Sequence, residues 1–445
     1  MASLNRVAKK PPVTTHEGGK AVRISSEQEL RRTVLGCMLF ESTAYESGSE
    51  IAARMAGLID KVDPQFVADL AVEARHSFYL RHVPLFLVRE LARKQENGVL
   101  VASTLPKVIA RADEMGEYLS IYFSKNPDEP LSHGSRKGIG RAIVKFNEYQ
   151  LAKYDRSSAK FKLRDILRLT RPRPVTVEQS ALWKRVVSGE LATPDTWEVQ
   201  LSSGADKKAT FERLIREKKL GNLALLRNLR LMEQSGVDRS IVRDAIEADP
   251  FKMVLPFRFL AAFRNAPHMR NSLEDAMYRS ARELKRLSGS TIVLVDVSGS
   301  MDDQLSSKSD MTRIDAACAL AMYVNEVCRD TRVFSFSNSL VEIENARGFK
   351  LIEDIHGSQP HGGTYLKETS TALLKFLGKT HDRFIVITDE QTHDGSACAI
   401  GERNYLINVA PYKNGVNYPS NGWVHIDGFS ERVVDFIGEI ERESD

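Results

Sequence analysis

From about Ser25 to Leu287, apolar residues recur at three- and four-residue intervals, and almost no segment alternates with period two. Ser26-Glu27-Gln28-Glu29 reads as a capping box before Leu30, Val34, Leu35, Met38 and Leu39, which share one helical face. Pro64 opens a helix with Phe66, Val67, Leu70, Ala71 and Ala74 inward, and Pro84 opens another through Leu87, Val88 and Leu91. Further helices are predicted over Ile139–Leu151, Leu163–Leu169, Val177–Val187, Phe211–Lys218, Leu223–Met232, Ser240–Ala248, Val254–Phe263 and Leu273–Leu287. Their links are short and carry Gly, Pro, Asn or Asp. Many short amphipathic helices without heptads predict a stacked array of helical hairpins rather than a coiled coil. Periodicity alone leaves open whether that array is open or closed.

From Ser288 onward the pattern changes. Strands predicted at Ile292–Val295, Arg332–Phe336, Phe384–Thr388 and Tyr405–Val409 alternate with helices at Ile314–Cys328, Tyr365–Leu377 and Glu431–Glu441. This βα alternation predicts a doubly wound α/β sheet. Ser288-Gly289-Ser290 reads as a short linker. The expected organisation is a flexible N-terminal arm over 1–24, a helical module over 25–287 and an α/β domain over 288–445.

The chain has 445 residues, 42% of them hydrophobic, enough for two or three cored domains. No run approaches the roughly 18 apolar residues of a membrane span. The polar N-terminus lacks the apolar core of a signal peptide. Four cysteines, Cys37, Cys318, Cys328 and Cys398, show no CxxC pair. Cys318 and Cys328 are expected on one helix, too far apart to bridge. Reduced thiols and a cytoplasmic location are the expectation.

Candidate chemistry begins where a buried strand runs into an acid. Thr291-Ile292-Val293-Leu294-Val295-Asp296-Val297-Ser298-Gly299-Ser300 ends in a loop of hard oxygen donors. Thr364 follows the turn His361-Gly362-Gly363, and Arg383–Thr388 runs into Asp389 and Glu390. Three such loops can converge at the carboxyl edge of a parallel sheet. Asp296, Ser298, Ser300, Thr364 and Asp389 suit a divalent cation, with Mg²⁺ the natural choice for oxygen ligands. The bland alternative is that Asp296 only caps the next helix. The five positions, in this order, resemble the metal-ion-dependent adhesion site of von Willebrand factor A domains.

The net charge is +4, so any strongly basic surface is local. Between Arg136 and Arg185 fourteen cations face four acids, a surplus of ten. Lys137, Arg141, Lys153, Arg156, Arg168, Arg171 and Arg173 belong to this belt, interleaved with Phe146, Tyr149, Tyr154 and Phe161. A phosphate polymer is the natural partner, because each neutralised phosphate releases counterions and exposed rings stack on unpaired bases. Charged helix faces are also often merely solvated, and Phe146 and Phe161 are expected in the core. In Arg168-x-x-Arg171-Pro172-Arg173-Pro174 the prolines hold an extended segment and array its guanidinium groups.

Several of these stretches together resemble the Ro autoantigen family. Lys153-Tyr154-Asp155-Arg156, then Leu163-Arg164-Asp165-Ile166-Leu167-Arg168-Leu169-Thr170-Arg171-Pro172-Arg173-Pro174, is similar to the family's K-Y…D-L-L-R-L-(S/T)-(H/R)-P-x-P run. Ala224-Leu225-Leu226-Arg227-Asn228-Leu229 matches its A-L-L-R-N-L helix, and Gly134-Ser135-Arg136-Lys137-Gly138 approximates a glycine-basic turn. The resemblance covers nearly all of the chain after residue 25. It implies an all-α, HEAT-like TROVE ring closed by a von Willebrand factor A domain. It also implies binding of small noncoding RNA of the Y type on an outer basic face, and of single-stranded ends of misfolded RNA in the hole. Lys153, Arg156 and Arg171 fall on family positions tied to the outer surface. Where many members place His, this chain has Arg171, which keeps a phosphate contact and loses imidazole chemistry.

The resulting expectation is a monomeric, non-enzymatic RNA chaperone or scaffold in RNA quality control. An acidic protein partner would sit at the metal and an exoribonuclease could be a further partner. A metal-dependent hydrolase or nuclease would instead use Asp296, Asp389, Glu390, His393 and Asp394. A third alternative is an adhesion module without RNA binding. His133, His356 and His425 are expected at the surface or as caps, and His393-Asp394 as a solvated loop pair.

Overall fold

The structure, a computed structural model, describes residues 13–36, 46–155, 158–251, 254–282, 284, 286–305, 310–344, 346–378, 380–412, 414–418, 422–430 and 432–444. Cys37, Met38, Leu39 and Arg156 lie outside the described residues.

Among the described residues the helical half comprises α1 (Ser26–Leu35), α2 (Gly48–Ile59), α3 (Pro64–His76), α4 (His82–Leu91), α5 (Gly98–Val108), α6 (Asp113–Tyr122), α7 (His133–Ile143), α8 (Glu148–Tyr154), α9 (Leu163–Thr170), α10 (Val177–Ser188), α11 (Trp197–Ser202), α12 (Lys207–Arg216), α13 (Asn222–Gln234), α14 (Arg239–Ala248), α15 (Phe257–Asn265) and α16 (Arg270–Arg282). Helices pack both on their immediate neighbours, as α3 does on α4 and α11 on α12, and on the one two places further along the chain. The series α1–α3–α5–α7–α9 forms one layer, α2–α4–α6 another, and α12–α14–α16 continues the pattern. That is how stacked hairpins bury one apolar stripe per helix.

The α/β half holds a six-stranded sheet, β1 (Leu287–Asp296), β2 (Cys328–Phe336), β3 (Leu340–Ile343), β4 (His381–Thr388), β5 (Gly401–Asn408) and β6 (Trp423–Asp427), with α17 (Arg313–Val327), α18 (Gly348–His356), α19 (Leu366–Leu377) and α20 (Arg432–Ser444). The strand order is β3-β2-β1-β4-β5-β6, parallel except for the antiparallel edge pair β2–β3. Chain connections leave β1 and β4 in opposite directions, so a crevice opens at their carboxyl ends.

The helical array is closed. Its late end docks on the sheet domain through α15 and α16 against α17, and α16 against α18. Its early end docks on the same domain, where α1 meets β6 and Ser430 Oγ donates to the Ser77 carbonyl at 3.1 Å. One continuous apolar core runs from Leu30 to Ile437 through both halves.

Several expectations are corrected. The segment predicted as Ile139–Leu151 is two helices, because Asn147 caps α8 by accepting from the Gln150 N–H at 2.9 Å. The last helix stops at Arg282, and Leu287 already pairs in β1 with Cys328. Cys328 therefore opens a strand instead of sharing a helix with Cys318; both are buried free thiols. Strands β3 and β6 were not anticipated. Within the expected flexible arm, residues 13–24 are pinned: Thr15 Oγ1 donates to the Thr392 carbonyl and Val22 bridges to Gly415. The approach is so close that a Cβ at Gly19 would come within 2.3 Å of the Thr392 carbonyl oxygen.

Candidate metal centre and basic helical face

The carboxyl ends of β1 and β4 bring the predicted oxygen ligands together. Asp296 is the last residue of β1, and its Oδ1 accepts from the Ser298 N–H at 2.9 Å. Ser298 Oγ and Ser300 Oγ are 3.3 Å apart. The loop is tied to the Thr364 turn by the Gly299 N–H donating to the Gly362 carbonyl at 2.9 Å. That turn is held from β2's end, where Ser337 Oγ donates to the Gly363 carbonyl at 3.0 Å. Behind β4, Asp389 Oδ1 accepts from the Gln391 N–H at 3.0 Å, and the Thr388 hydroxyl donates to Asp296 Oδ2.

Asp296 and Asp389 are both fully buried. Burial, and then the charge of Asp389, push the Asp296 carboxyl up to about 7. An acid raised in this way, with a second buried acid and three hydroxyls beside it, belongs to a donor set fitted to a hard divalent cation, whose charge would reverse the shift. No cluster of three or more His, Cys, Asp and Glu suited to a metal occurs among the described residues, so this hydroxyl-rich set is of a different kind.

The neighbouring acid–base candidates are engaged elsewhere. Glu390 is buried and ion-paired with Arg32 of α1, itself 0% exposed. His425 of β6 contacts the other Glu390 oxygen, and its Nδ1 lies 3.6 Å from Asp427. Arg32 also donates through Nε to the Tyr412 carbonyl. Burial acts to lower the His425 pKa, but the Glu390 and Asp427 carboxylates outweigh it and raise the imidazole to about 9. His425 is thus a buried member of an ion-pair network, a correction to its expected surface position. Asp394, expected to be solvated, accepts from the Lys367 and Glu368 N–H groups and caps α19. His393 stacks on Tyr365 with ring centroids 5.1 Å apart. His361 Nδ1 lies 2.8 Å from Asp302.

In the basic belt the ion pairs among the described residues are Arg164–Asp165 at 3.9 Å and Arg185–Glu148 at 2.7 Å. Lys137, Arg141, Arg168, Arg171 and Arg173 are exposed and outside these pairs. On α9, Leu163, Ile166, Leu167 and Thr170 face inward. That leaves Arg164, Arg168 and Arg171 spaced along the outer face. Arg171 caps the helix in the left-handed region at φ 45°, where its N–H donates to the Leu167 carbonyl at 2.9 Å. The following Pro172 sits against α7, since a methyl at Gly140 would meet it at 3.6 Å. Lys137 and Arg141 line a cleft of about 750 Å³ on the other side of α7, together with Arg93 and Lys94. Lys153 lies apart from this group. It is half-buried, with its ammonium 5.7 Å from the Tyr154 ring. Phe146 is in the core, whereas Tyr149 is exposed.

With this geometry in hand, the family comparison is informative. A family model described as the TROVE domain matches residues 180–277. Over that stretch the chain is similar to a TROVE domain. The matched stretch runs from within α10 into α16 and so lies just beyond the basic α7–α9 surface. The crystal structure of the Deinococcus radiodurans RO (RSR) protein has the same fold: TM-score 0.60 at 16% identity, covering 95% of this chain and 100% of that one. No curated protein sequence matches. The helical array and the α/β domain together therefore have a Ro-like fold, a helical ring closed by a doubly wound sheet domain.

Two features escaped sequence reasoning. The Arg32–Glu390–His425–Asp427 network joins residues more than 350 positions apart, and no local pattern marks it. The cleft between α8 and α11 was equally silent, although Tyr149 and Trp197 were individually visible.

Proposed function

We propose that this Ro-like protein binds RNA without cleaving it, acting as a chaperone or scaffold for small structured noncoding RNA of the Y type and for single-stranded RNA ends. The observation that carries this reading is the α7–α9 face, where exposed cations lacking carboxylate partners among the described residues stand on a closed ring. Unneutralised arginines on a fixed frame favour a polyanion, since no internal ion pair must be broken for them to meet phosphate.

The same reading assigns Mg²⁺ to Asp296, Ser298, Ser300, Thr364 and Asp389, with an open position for a carboxylate of an acidic protein partner. A metal there supplies a positive centre that bridges two anionic groups. Hydrolysis is disfavoured, because Glu390, Asp394 and His393 are occupied by structural contacts. A monomer in the cytoplasm, with an exoribonuclease as a possible partner, completes the proposal. Among the described residues no helix is long and apolar enough to cross a membrane.

The test is a gel-shift titration with a labelled small hairpin RNA over a salt series. A steeply negative slope of log affinity against log salt is expected. A slope near zero would reject RNA binding by this face. Incubation with labelled RNA and Mg²⁺ checks the rest: metal-dependent cleavage abolished by Asp296→Ala would replace the scaffold by a nuclease.

A further inference from the structure

A cleft of about 650 Å³ opens where α8 and α11 approach the first turn of α13. Lys153, Tyr149 and Tyr154 in its lining belong to the basic belt, and the charge of that belt by itself gives the cleft no preference among bases. Three aromatic rings line it, Tyr149, Tyr154 and Trp197. Each is held differently. Trp197 stacks on Phe211 with centroids 6.3 Å apart, Tyr154 lies under the Arg111 guanidinium at 4.6 Å, and Tyr149 is 46% exposed. Aromatic rings in a polar, charged cleft suit an unstacked base, which offers a π-face together with hydrogen-bonding edges.

Three carboxylates line the cleft: Asp113 and Glu117 are ion-paired with Arg81, and Glu198 is not. Glu198, in the first turn of α11, lines it, and its Oε2 is buried without a hydrogen-bond partner. No ion pair involves Glu198 among the described residues. A buried carboxylate oxygen without donors is costly, and the natural remedy is a ligand that brings N–H groups to it. Glu198 is also close to the Tyr149 ring, since after burial its charge is the main cause that raises that phenol. Two cations, Lys153 and Arg227, line the same cleft and take part in no ion pair among the described residues.

We infer that this cleft takes one unpaired guanine nucleotide of a bound RNA. The inference rests on the RNA-binding reading and sharpens it. Of the four bases, guanine presents two adjacent donors on its Watson–Crick edge, N1–H and N2–H, which match the two oxygens of a carboxylate. Adenine and cytosine each offer one amino group beside a ring-nitrogen acceptor that repels the second oxygen. Uracil offers one N–H flanked by two carbonyls. The tyrosine and tryptophan rings hold the base plane, and Lys153 and Arg227 meet the flanking phosphates. The aromatic contacts serve any base, and Glu198 makes the choice.

The experiment is fluorescence anisotropy of four labelled RNA pentamers, UUGUU, UUAUU, UUCUU and UUUUU, with the full chain at one fixed salt concentration. The guanine pentamer is expected to bind about tenfold more tightly than the other three. Glu198→Gln should bring all four together while leaving UUUUU affinity unchanged and without lowering the melting temperature. Tyr149→Ala should weaken all four by a common factor and keep the guanine preference. Equal binding of the four by the unmodified protein overturns the guanine assignment. No pentamer binding, with a hairpin RNA still bound, overturns the cleft as a nucleotide site but leaves the RNA-binding reading standing. Loss of hairpin and pentamers together would reject both.

Discussion

Arginine serves two opposite ends in this molecule. Arg32 is 0% exposed, inside a network with Glu390 and His425, where α1 meets the sheet domain. Arg168 and Arg171 stand exposed on α9 and its cap. The first has lost its water and depends on its partners; the second keeps its water and its charge. Buried ionic groups resist removal because each leaves the other uncompensated, whereas exposed unpaired ones are cheap to change and open to an external anion. One region therefore closes the ring and the other is free to meet a ligand.

The comparison is broken most sharply by truncating the buried partner. Arg32→Ala should cost about 3–5 kcal/mol, because Glu390 is left charged and unpaired in the interior. Chemical denaturation measures it, and a loss under about 1 kcal/mol would mean that the network is not dry.

His425 gives the next largest effect, through pH. Its folded pKa, about 9, lies above the ordinary 6.5. The stabilisation is therefore fully present below about pH 6.5 and disappears as the pH rises through about 9. Its size is on the order of 3 kcal/mol. The stability difference between the unmodified protein and His425→Gln should shrink across that window. A difference that is flat from pH 6 to 10 would show that the imidazole is neutral in the fold.

On the exposed side, Arg168→Glu combined with Arg171→Glu should lower affinity for a hairpin RNA by about 2 kcal/mol, roughly thirtyfold, and flatten the salt slope by about two. Stability should move by less than about 0.5 kcal/mol. A comparable loss of stability would place these arginines with Arg32 in kind.

The smallest effect concerns the cation. Mg²⁺ at ten times its dissociation constant should stabilise the protein by about 1.4 kcal/mol, and Asp296→Asn should abolish the gain. Thermal melts with and without Mg²⁺ decide it. Equal stabilisation of both proteins would place the ion elsewhere.

Much of this was legible in the residues. Three- and four-residue apolar spacing marked the helices, and a buried run ending in Asp296 marked β1, because both signals are local and tied to backbone geometry. The convergence of the Asp296, Thr364 and Asp389 loops was readable for the same reason: each follows its own strand or glycine turn, and a parallel sheet gathers such ends at one edge. The belt from Arg136 to Arg185 was visible as composition, but composition could not sort its members. Folding left Arg168 and Arg171 outside, placed Lys153 against Tyr154 and committed Arg185 to Glu148.

What only the tertiary structure decided are the long-range meetings. Strand β6 was hidden because His425 and Asp427 break the apolar pattern, and they are tolerated inside only because Arg32 and Glu390 arrive from distant parts of the chain. The grip on residues 13–24 and the cleft around Glu198 share this origin. Local pattern specifies which element a segment becomes. The partner that makes a buried charge affordable is set by closure of the ring, which no stretch of sequence contains.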